Sequence, residues 1–160
     1  MNKLRARDIM KKNVVTVEAS ISVRELAGLL TEKMISGVPV IDENDKPVGV
    51  VSLSDIVAHD DQRAIIETEH HAASYFLRGW EDDLEPSDIE SLQVVQGEGL
   101  TVGDIMTPAV YSVTEDTDIA EMADAMINGR VHRLIVTRAG RVVGIVSTLD
   151  MLKAVRSHGI

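Results

Sequence analysis

Serine and aspartate recur with the same spacing at two places in the chain. The sequence "GVVSLSD" runs from Gly49 to Asp55, and "GIVSTLD" runs from Gly144 to Asp150. A strand that ends in such a serine and leads into a helix gathers a hydroxyl group and free backbone N–H groups, which attract anions. The carboxylate three residues later accepts hydrogen bonds and donates none, so a vicinal diol is a natural partner.

The same spacing also has a purely structural interpretation. Ser-x-x-Asp at the start of a helix is a capping box, which requires no ligand. One serine can serve both purposes. The motif alone therefore leaves the binding and the capping interpretations open for Ser52 with Asp55 and for Ser147 with Asp150.

Both motifs belong to an internal repeat, which has to position them. The sequence "DIM" at Asp8 to Met10 recurs 96 residues later at Asp104 to Met106. The offset falls to 95 after a polar hairpin turn, where one extra residue costs little. Each copy reads as β-α-β-β-α, and two such units bury their apolar sheet faces most simply against each other.

The first long helix of each copy carries an N-terminal signature and an apolar face. Ser22 with Glu25, and Asp118 with Glu121, have capping-box spacing. Helical periodicity then predicts one buried face in each copy. The residues on these faces are Val23, Leu26, Ala27, Leu30 and Met34 in the first copy, and Ile119, Met122, Ala123, Met126 and Ile127 in the second.

A segment of different character separates the copies, and the predicted division is 1–60, 61–100 and 101–160. The insert is expected to be mostly helical, with a solvated acidic run, "EDDLEPSDIE". Tyr75, Phe76 and Trp80 form an aromatic cluster that offers an apolar surface for self-association or a partner, or else packs on its own domain. His70 and His71 do not predict a metal site, because adjacent histidines on a helix point about 100° apart.

Composition excludes several classes of function. With 16 basic and 26 acidic residues, the net charge of −10 repels nucleic acids and anionic lipids. There are no cysteines, and no apolar run approaches the roughly 20 residues that cross a bilayer. We therefore expect a cytoplasmic protein with no nucleic-acid or membrane partner.

The ordered set of "DIM", a valine-rich strand, a helix, "SGVPVID" and "GVVSLSD", present twice, resembles a tandem pair of CBS domains. The resemblance implies an α/β (α+β) fold in which two β-α-β-β-α units pack sheet to sheet with pseudo-twofold symmetry and leave two clefts. It further implies a regulatory protein rather than an enzyme, and a homodimer formed through helices. The implied ligands are AMP, ADP, ATP or S-adenosylmethionine.

The resemblance also assigns roles to residues of this chain. Asp55 and Asp150 would bind ribose, and Ser52 and Ser147 would lie near ribose or phosphate. The adenine would be held by backbone groups and apolar side chains, although the sequence does not say which wall serves which cleft. The residues implied are Val14, Thr16, Ile35, Ser36, Gly37, Val38, Val110, Tyr111, Val131 and Leu134.

The two copies differ where the first reads "ISGVPV" and the second "VHRLIV", which introduces His132 and Arg133. Guanidinium is a permanent, bidentate partner for phosphate, and an acidic protein that binds a polyanion needs a local positive site. We expect the phosphate end of the ligand near these two residues. The alternative is a surface arginine paired with a nearby carboxylate.

Two hypotheses for function follow. In the first, an adenosine-type ligand changes the arrangement of the two repeats, and an unidentified partner protein reads this change in trans. In the second, the chain is a ligand-free interaction or dimerisation module whose vestigial clefts are filled by its own side chains. No catalytic triad or glycine-rich phosphate loop supports an enzyme.

Overall fold

The computed structural model describes residues 3–60, 74–77 and 99–159. Within these ranges, each half of the chain follows the β-α-β-β-α order expected from the repeat, preceded by a short helix at the "DIM" motif. The elements are α1 (Ala6–Ile9), β1 (Val17–Glu18), α2 (Val23–Lys33), β2 (Gly37–Ile41), β3 (Pro47–Ser52), α3 (Leu53–Asp60), α4 (Ser74–Leu77), α5 (Val102–Ile105), β4 (Ser112–Thr114), α6 (Ile119–Gly129), β5 (Arg133–Arg138), β6 (Arg141–Ser147) and α7 (Thr148–His158).

Each half contributes a three-stranded sheet with the same topology. The strand orders are β1-β2-β3 and β4-β5-β6, with the first pair of each sheet parallel and the second antiparallel. Val17 is paired with Val40 in the first sheet, and Val113 with Val136 in the second. The register of each hairpin shifts after Val40 and after Val136. The predicted α+β class and the twofold repeat are confirmed.

Helices α2 and α6 begin where their caps predict. The Ser22 hydroxyl accepts the Glu25 N–H at 3.0 Å, and the Asp118 carboxylate accepts the Glu121 N–H at 2.9 Å. Both helices bury apolar residues against their own sheet. Those buried are Val23, Leu26, Ala27 and Leu30 in α2, and Met122 and Met126 in α6.

Two residues assigned to the buried faces lie elsewhere. Met34 is the residue that ends α2, in the left-handed conformation with φ of 54°, and its side chain is 41% exposed. Ile127 lies on the outer side of α6 and is 71% exposed. Helical periodicity identified the stripe correctly but placed its edge one residue too wide in each copy.

The first "DIM" helix packs on the second half of the chain. The Ala6 N–H donates to the Thr117 carbonyl at 2.9 Å, and Ala6 is fully buried in the second core. Beyond the helix, Lys11 and Ile145 exchange two backbone hydrogen bonds, at 2.9 and 3.0 Å. The residues before β1 thus complete the opposite unit.

The second "DIM" helix makes the reciprocal exchange. Val102 is fully buried in the first core, and its N–H donates to the Ile21 carbonyl at 2.9 Å. Val50 and Thr107 exchange two backbone hydrogen bonds, both 2.9 Å long. Each of α1 and α5 belongs to one half of the sequence but packs on the other half in space. The division of the chain into domains at residues 60 and 100 therefore stays a prediction.

The exchange explains why glycine opens both copies of the repeated motif. A Cβ on Gly49 would lie 2.5 Å from the Thr107 carbonyl oxygen, and a Cβ on Gly144 would lie 2.8 Å from Cγ of Met10. Each strand therefore needs a residue without a side chain where the segment from the other half passes. In the described residues, no helix has the length and apolar character needed to cross a membrane.

Candidate ligand-binding cleft

An open cleft of about 200 Å³ lies between the two halves. Residues of both repeats and of the insert line it, so any molecule bound there touches both units. Its lining residues are Lys11, Lys12, Asn13, Val14, Val15, Ile35, Ser36, Gly37, Pro39, Tyr75, Arg133, Ile145, Ser147 and Asp150.

Asp150 provides the acidic group of the cleft. Its Oδ2 atom accepts the Ser147 N–H and the Ser147 hydroxyl, both at 2.9 Å, and the Asp150 N–H donates back to that hydroxyl at 3.2 Å. The capping interpretation is therefore correct for this pair. Oδ1 of Asp150 has no hydrogen-bond partner among the described residues, although the side chain is only 7% exposed. A buried acceptor of this kind favours a ligand that brings hydroxyl donors.

Basic side chains line the same cleft. Arg133 is 6% exposed, and its guanidinium carbon lies 4.8 Å from the centroid of the Tyr75 ring. Lys11 and Lys12 lie on the cleft wall contributed by the segment after α1. A carboxylate for hydroxyl groups and cations for an anion thus occur together, in a protein whose net charge is −10.

The structure places the expected wall residues in two groups. Val14, Ile35, Ser36 and Gly37 line the cleft that contains Asp150, so the wall of the first repeat serves the aspartate of the second. The other expected residues do not line this cleft. Val38 and Leu134 are buried in the two cores, Thr16 is half-buried, and Val110, Tyr111 and Val131 lie at the corresponding position of the second repeat.

His132 lies apart from its neighbour Arg133. Its backbone N–H donates to the Phe76 carbonyl at 2.6 Å, and its Nδ1 is 3.2 Å from the Thr148 hydroxyl oxygen. It lines a separate apolar groove between α6 and α7. The two residues point to different surfaces because successive side chains at the start of a strand alternate in direction.

Ser52 and Asp55 repeat the local geometry of the other motif. The Ser52 N–H and hydroxyl donate to Oδ2 of Asp55 at 2.8 and 3.2 Å. Both residues are buried, and neither lines the open cleft. In both copies the serine N–H and hydroxyl donate to the aspartate, but the two motifs differ in their surroundings.

The insert aromatics Tyr75 and Phe76 pack onto their own chain. Their exposed fractions are 4% and 0%, and both belong to the second core. The hypothesis that these two rings form an exposed docking surface is wrong, and the alternative of packing on the same domain is confirmed. Trp80, His70 and His71 lie outside the described residues.

Sequence reasoning did not identify the contribution of Lys11, Lys12 and Asn13. The signal was present, because the first "DIM" is followed by "KKN" and the second by "TPA". A difference in charge at equivalent positions of a repeat indicates that the two positions have different surroundings. Among the described residues, no group of three or more His, Asp or Glu is arranged to hold a metal ion.

The family follows from a comparison with known proteins. The family model of the CBS domain matches residues 6–61 and 102–157. The chain belongs to the CBS-domain family. Its two matched segments cover both repeats, which makes it a tandem CBS pair, or Bateman module.

Several relatives resemble this CBS pair over most of its length. The chloroplastic CBSX1 of Arabidopsis thaliana is 32% identical over 145 residues, 90% of this chain and 60% of that protein. The chain spans about three fifths of the length of CBSX1 and of CBSX2. The inosine-5′-monophosphate dehydrogenase of Methanocaldococcus jannaschii is 27% identical over 150 residues, 93% of this chain but 23% of that enzyme.

Solved structures of CBS pairs share the architecture. A crystal structure of CBSX2 in complex with AMP superposes with a TM-score of 0.67 at 28% identity, covering 98% of this chain and 99% of that one. A CBS pair of protein MJ0100, crystallised with 5′-methylthioadenosine and S-adenosylmethionine, has a TM-score of 0.63 at 23% identity, covering 98% of each chain. The second similarity shows the fold alone.

Proposed function

We propose that this CBS pair is a regulatory sensor that binds an adenosine-type ligand in the cleft containing Asp150. The observation that carries the proposal is that Oδ1 of Asp150 has no hydrogen-bond partner within residues 3–60, 74–77 and 99–159, although Asp150 is buried beside a cleft that Arg133 and Lys12 also line. A ribose diol on the carboxylate and a phosphate on the cations would use both. AMP bound to CBSX2, a relative of the same architecture, supports this ligand class.

The position of the cleft suggests how binding is reported. Ile35 and Ser36 of the first repeat face Ser147 and Asp150 of the second across the cleft. A bound ligand touches both repeats, so it favours the arrangement in which both walls fit it best. Regulation follows only if another arrangement binds the ligand less tightly. We propose that a partner protein reads the difference in trans, in the cytoplasm.

A ligand screen tests the proposal. AMP, ADP, ATP and S-adenosylmethionine would be added to the purified protein and followed by thermal unfolding and titration calorimetry. A ligand at 100 times its dissociation constant stabilises the native state by about 2.7 kcal/mol. For a chain of this size that corresponds to about 5–10 °C in melting temperature. If none of the four binds at millimolar concentration, the sensor proposal is wrong.

A second candidate is a ligand-free interaction module. The buried insert side chain Phe76 favours it, because the protein's own atoms occupy part of the second repeat's surface. The open cleft beside Asp150 argues for the sensor instead. If none of the four ligands binds the wild-type protein, the interaction module is the better description; a ligand that binds wild type and Asp150→Asn equally would place its site away from Asp150.

We also propose that the CBS pair forms a homodimer through its outer helices. Large apolar side chains are exposed on helices of both halves: Val57 of α3 at 42%, Ile127 of α6 at 71%, and Leu152 and Val155 of α7 at 47% and 43%. The apolar groove between α6 and α7 lies beside Ile127. Exposed apolar patches of this kind mark association surfaces.

A further inference from the structure

The repeat relates two equivalent places to each other, and the open cleft of the described residues lies at one of them. The register of the repeat relates Val15, Ser36 and Ile145, which line the open cleft, to Tyr111, His132 and Val50. These three counterparts are associated with Phe76 of the short insert helix α4: Tyr111 through its ring, His132 through its backbone N–H, and Val50 through the shared buried cluster. The asymmetry therefore comes from the insert, not from the repeats.

Phe76 fills the second place with an aromatic ring. Its side chain is fully buried, and its ring centroid lies 5.0 Å from that of Tyr111 at an interplanar angle of 71°. It shares a buried cluster with Val50 and Val131, the counterparts of the cleft residues Ile145 and Ile35. The ring is thus enclosed by the residues that would otherwise form the wall of a second cleft.

The backbone of Phe76 also forms a hydrogen bond with the second repeat. The His132 N–H donates to the Phe76 carbonyl oxygen at 2.6 Å. A purine also presents an aromatic face and hydrogen-bond acceptors to a protein. Phe76 supplies a ring and a backbone acceptor from within the chain.

The neighbouring residue connects the filled place to the open one. Tyr75 lines the open cleft and packs so closely on Gly37 that a Cβ there would lie 2.8 Å from the tyrosine ring. The Arg133 guanidinium carbon lies 4.8 Å from the centroid of the same ring. One dipeptide of the insert therefore blocks one site and forms a wall of the other.

We propose that Phe76 is a resident occupant of the second cleft, which limits the CBS pair to one adenosine-type ligand per chain and keeps Asp55 out of ligand binding. This inference rests on the proposed function. It adds that the insert, which is not part of the repeat, sets the number of ligands that one chain binds. Removing the Phe76 ring would then uncover a latent site that uses Asp55.

Titration calorimetry of the intact protein with AMP tests the stoichiometry. We expect one AMP per chain, at least tenfold weaker binding in Asp150→Asn, and unchanged binding in Asp55→Asn. Asparagine retains an oxygen that accepts the capping N–H, so both variants keep the helix start. Two AMP molecules per wild-type chain, or equal losses in the two variants, would overturn the inference while leaving the sensor proposal intact.

Phe76→Ala tests the latent site directly. We expect a second AMP per chain in this variant, and its loss in the double variant Phe76→Ala/Asp55→Asn. Phe76→Leu, which keeps most of the apolar volume, is the matched control and should still bind one. A folded Phe76→Ala that binds one AMP contradicts the inference. If Phe76→Ala does not fold, the two asparagine variants decide it.

The two proposals fail in distinguishable ways. Absence of binding to wild type by all four ligands rejects the sensor proposal. In that case Asp55-dependent binding of AMP to Phe76→Ala would still support the resident occupant, and absence of binding there would reject it as well.

Discussion

A single oxygen of the Asp150 carboxylate accepts both the N–H and the hydroxyl of Ser147. One oxygen of the carboxylate thus caps the start of α7, and the same residue lines the open cleft. Because the cap hydrogen bonds hold the Asp150 carboxylate in one orientation, a ligand of the proposed kind would bind a group that needs no reordering.

This division of labour predicts a difference between two substitutions. Asp150→Ala removes the acceptor for the Ser147 N–H and should lower the free energy of unfolding by about 1 kcal/mol. Asp150→Asn should keep most of that stability and still lose at least tenfold in AMP affinity. Urea denaturation and calorimetry measure the two effects separately. If alanine lowers the stability and neither variant lowers the AMP affinity, the residue is a cap alone.

The lysines after α1 should discriminate ligands by charge. Lys12→Ala is expected to weaken AMP and ATP binding several-fold while leaving adenosine binding unchanged, because only the first two carry phosphate. The effect should shrink at high salt, which screens exposed charges. Lys46→Ala, in the β2–β3 hairpin, is the matched control. An equal loss for adenosine would show that Lys12 acts through the fold.

Replacing glycine by alanine should change the stability of the protein in opposite directions at two positions. Gly144→Ala forces its Cβ against Met10, and overpacking of this kind typically costs about 1–3 kcal/mol. Gly28 lies in α2 with nothing within 4 Å of an added Cβ, so Gly28→Ala should stabilise the protein by up to about 1 kcal/mol. Thermal and urea unfolding of the two variants check the signs. A neutral Gly144→Ala would contradict the tight passage of the exchanged segment.

The outer helices should govern self-association. Ile127→Asp places a charge on the most exposed large apolar side chain described and should convert the dimer to a monomer. Light scattering after size-exclusion chromatography gives the mass directly. Lys46→Asp adds negative charge on a hairpin away from these helices and should leave the dimer intact. A wild-type monomer at all concentrations would reject the dimer proposal.

Acid should weaken the second unit through Glu115. Hydrogen bonds from Arg138, at 2.6 and 2.7 Å, hold the pKa of this carboxyl below its ordinary value of 4.5. The folded state therefore binds the proton less readily than the unfolded chain. The stabilisation is present above pH 4.5 and is lost as the pH falls through the lower folded pKa. Urea unfolding between pH 6 and pH 3 should show a shallower decline for Glu115→Gln than for the exposed control Glu18→Gln.

Much of this architecture follows from local sequence rules. The caps at Ser22 and Asp118 depend on residues only three positions apart. The repeat and the extra residue in the first hairpin follow from aligning the two copies. The structure confirms all of these predictions. The exchange of α1 and α5 could not be read this way, because nothing local distinguishes packing on one's own unit from packing on the other. Which residues line the cleft beside Asp150 depends on this exchange and on the relative position of the two sheets.

The packing of the insert could not be predicted from local sequence either. Phe76 and Tyr75 are outside the repeat, so no periodicity indicates which surface they cover. Their composition is compatible with an exposed patch and with a core. Only the three-dimensional position of His132 and Gly37 shows where they lie.

The crossed backbone pairs, Lys11 with Ile145 and Val50 with Thr107, have a consequence for how this molecule can be taken apart. A fragment ending before residue 99 would keep its sheet but lose the helix that seals it, and the complementary fragment would have the same defect. We therefore expect that neither fragment folds alone, and that the two are recovered as folded protein only when co-expressed. Because each half completes the fold of the other, we expect the two repeats to fold and unfold together as one cooperative unit.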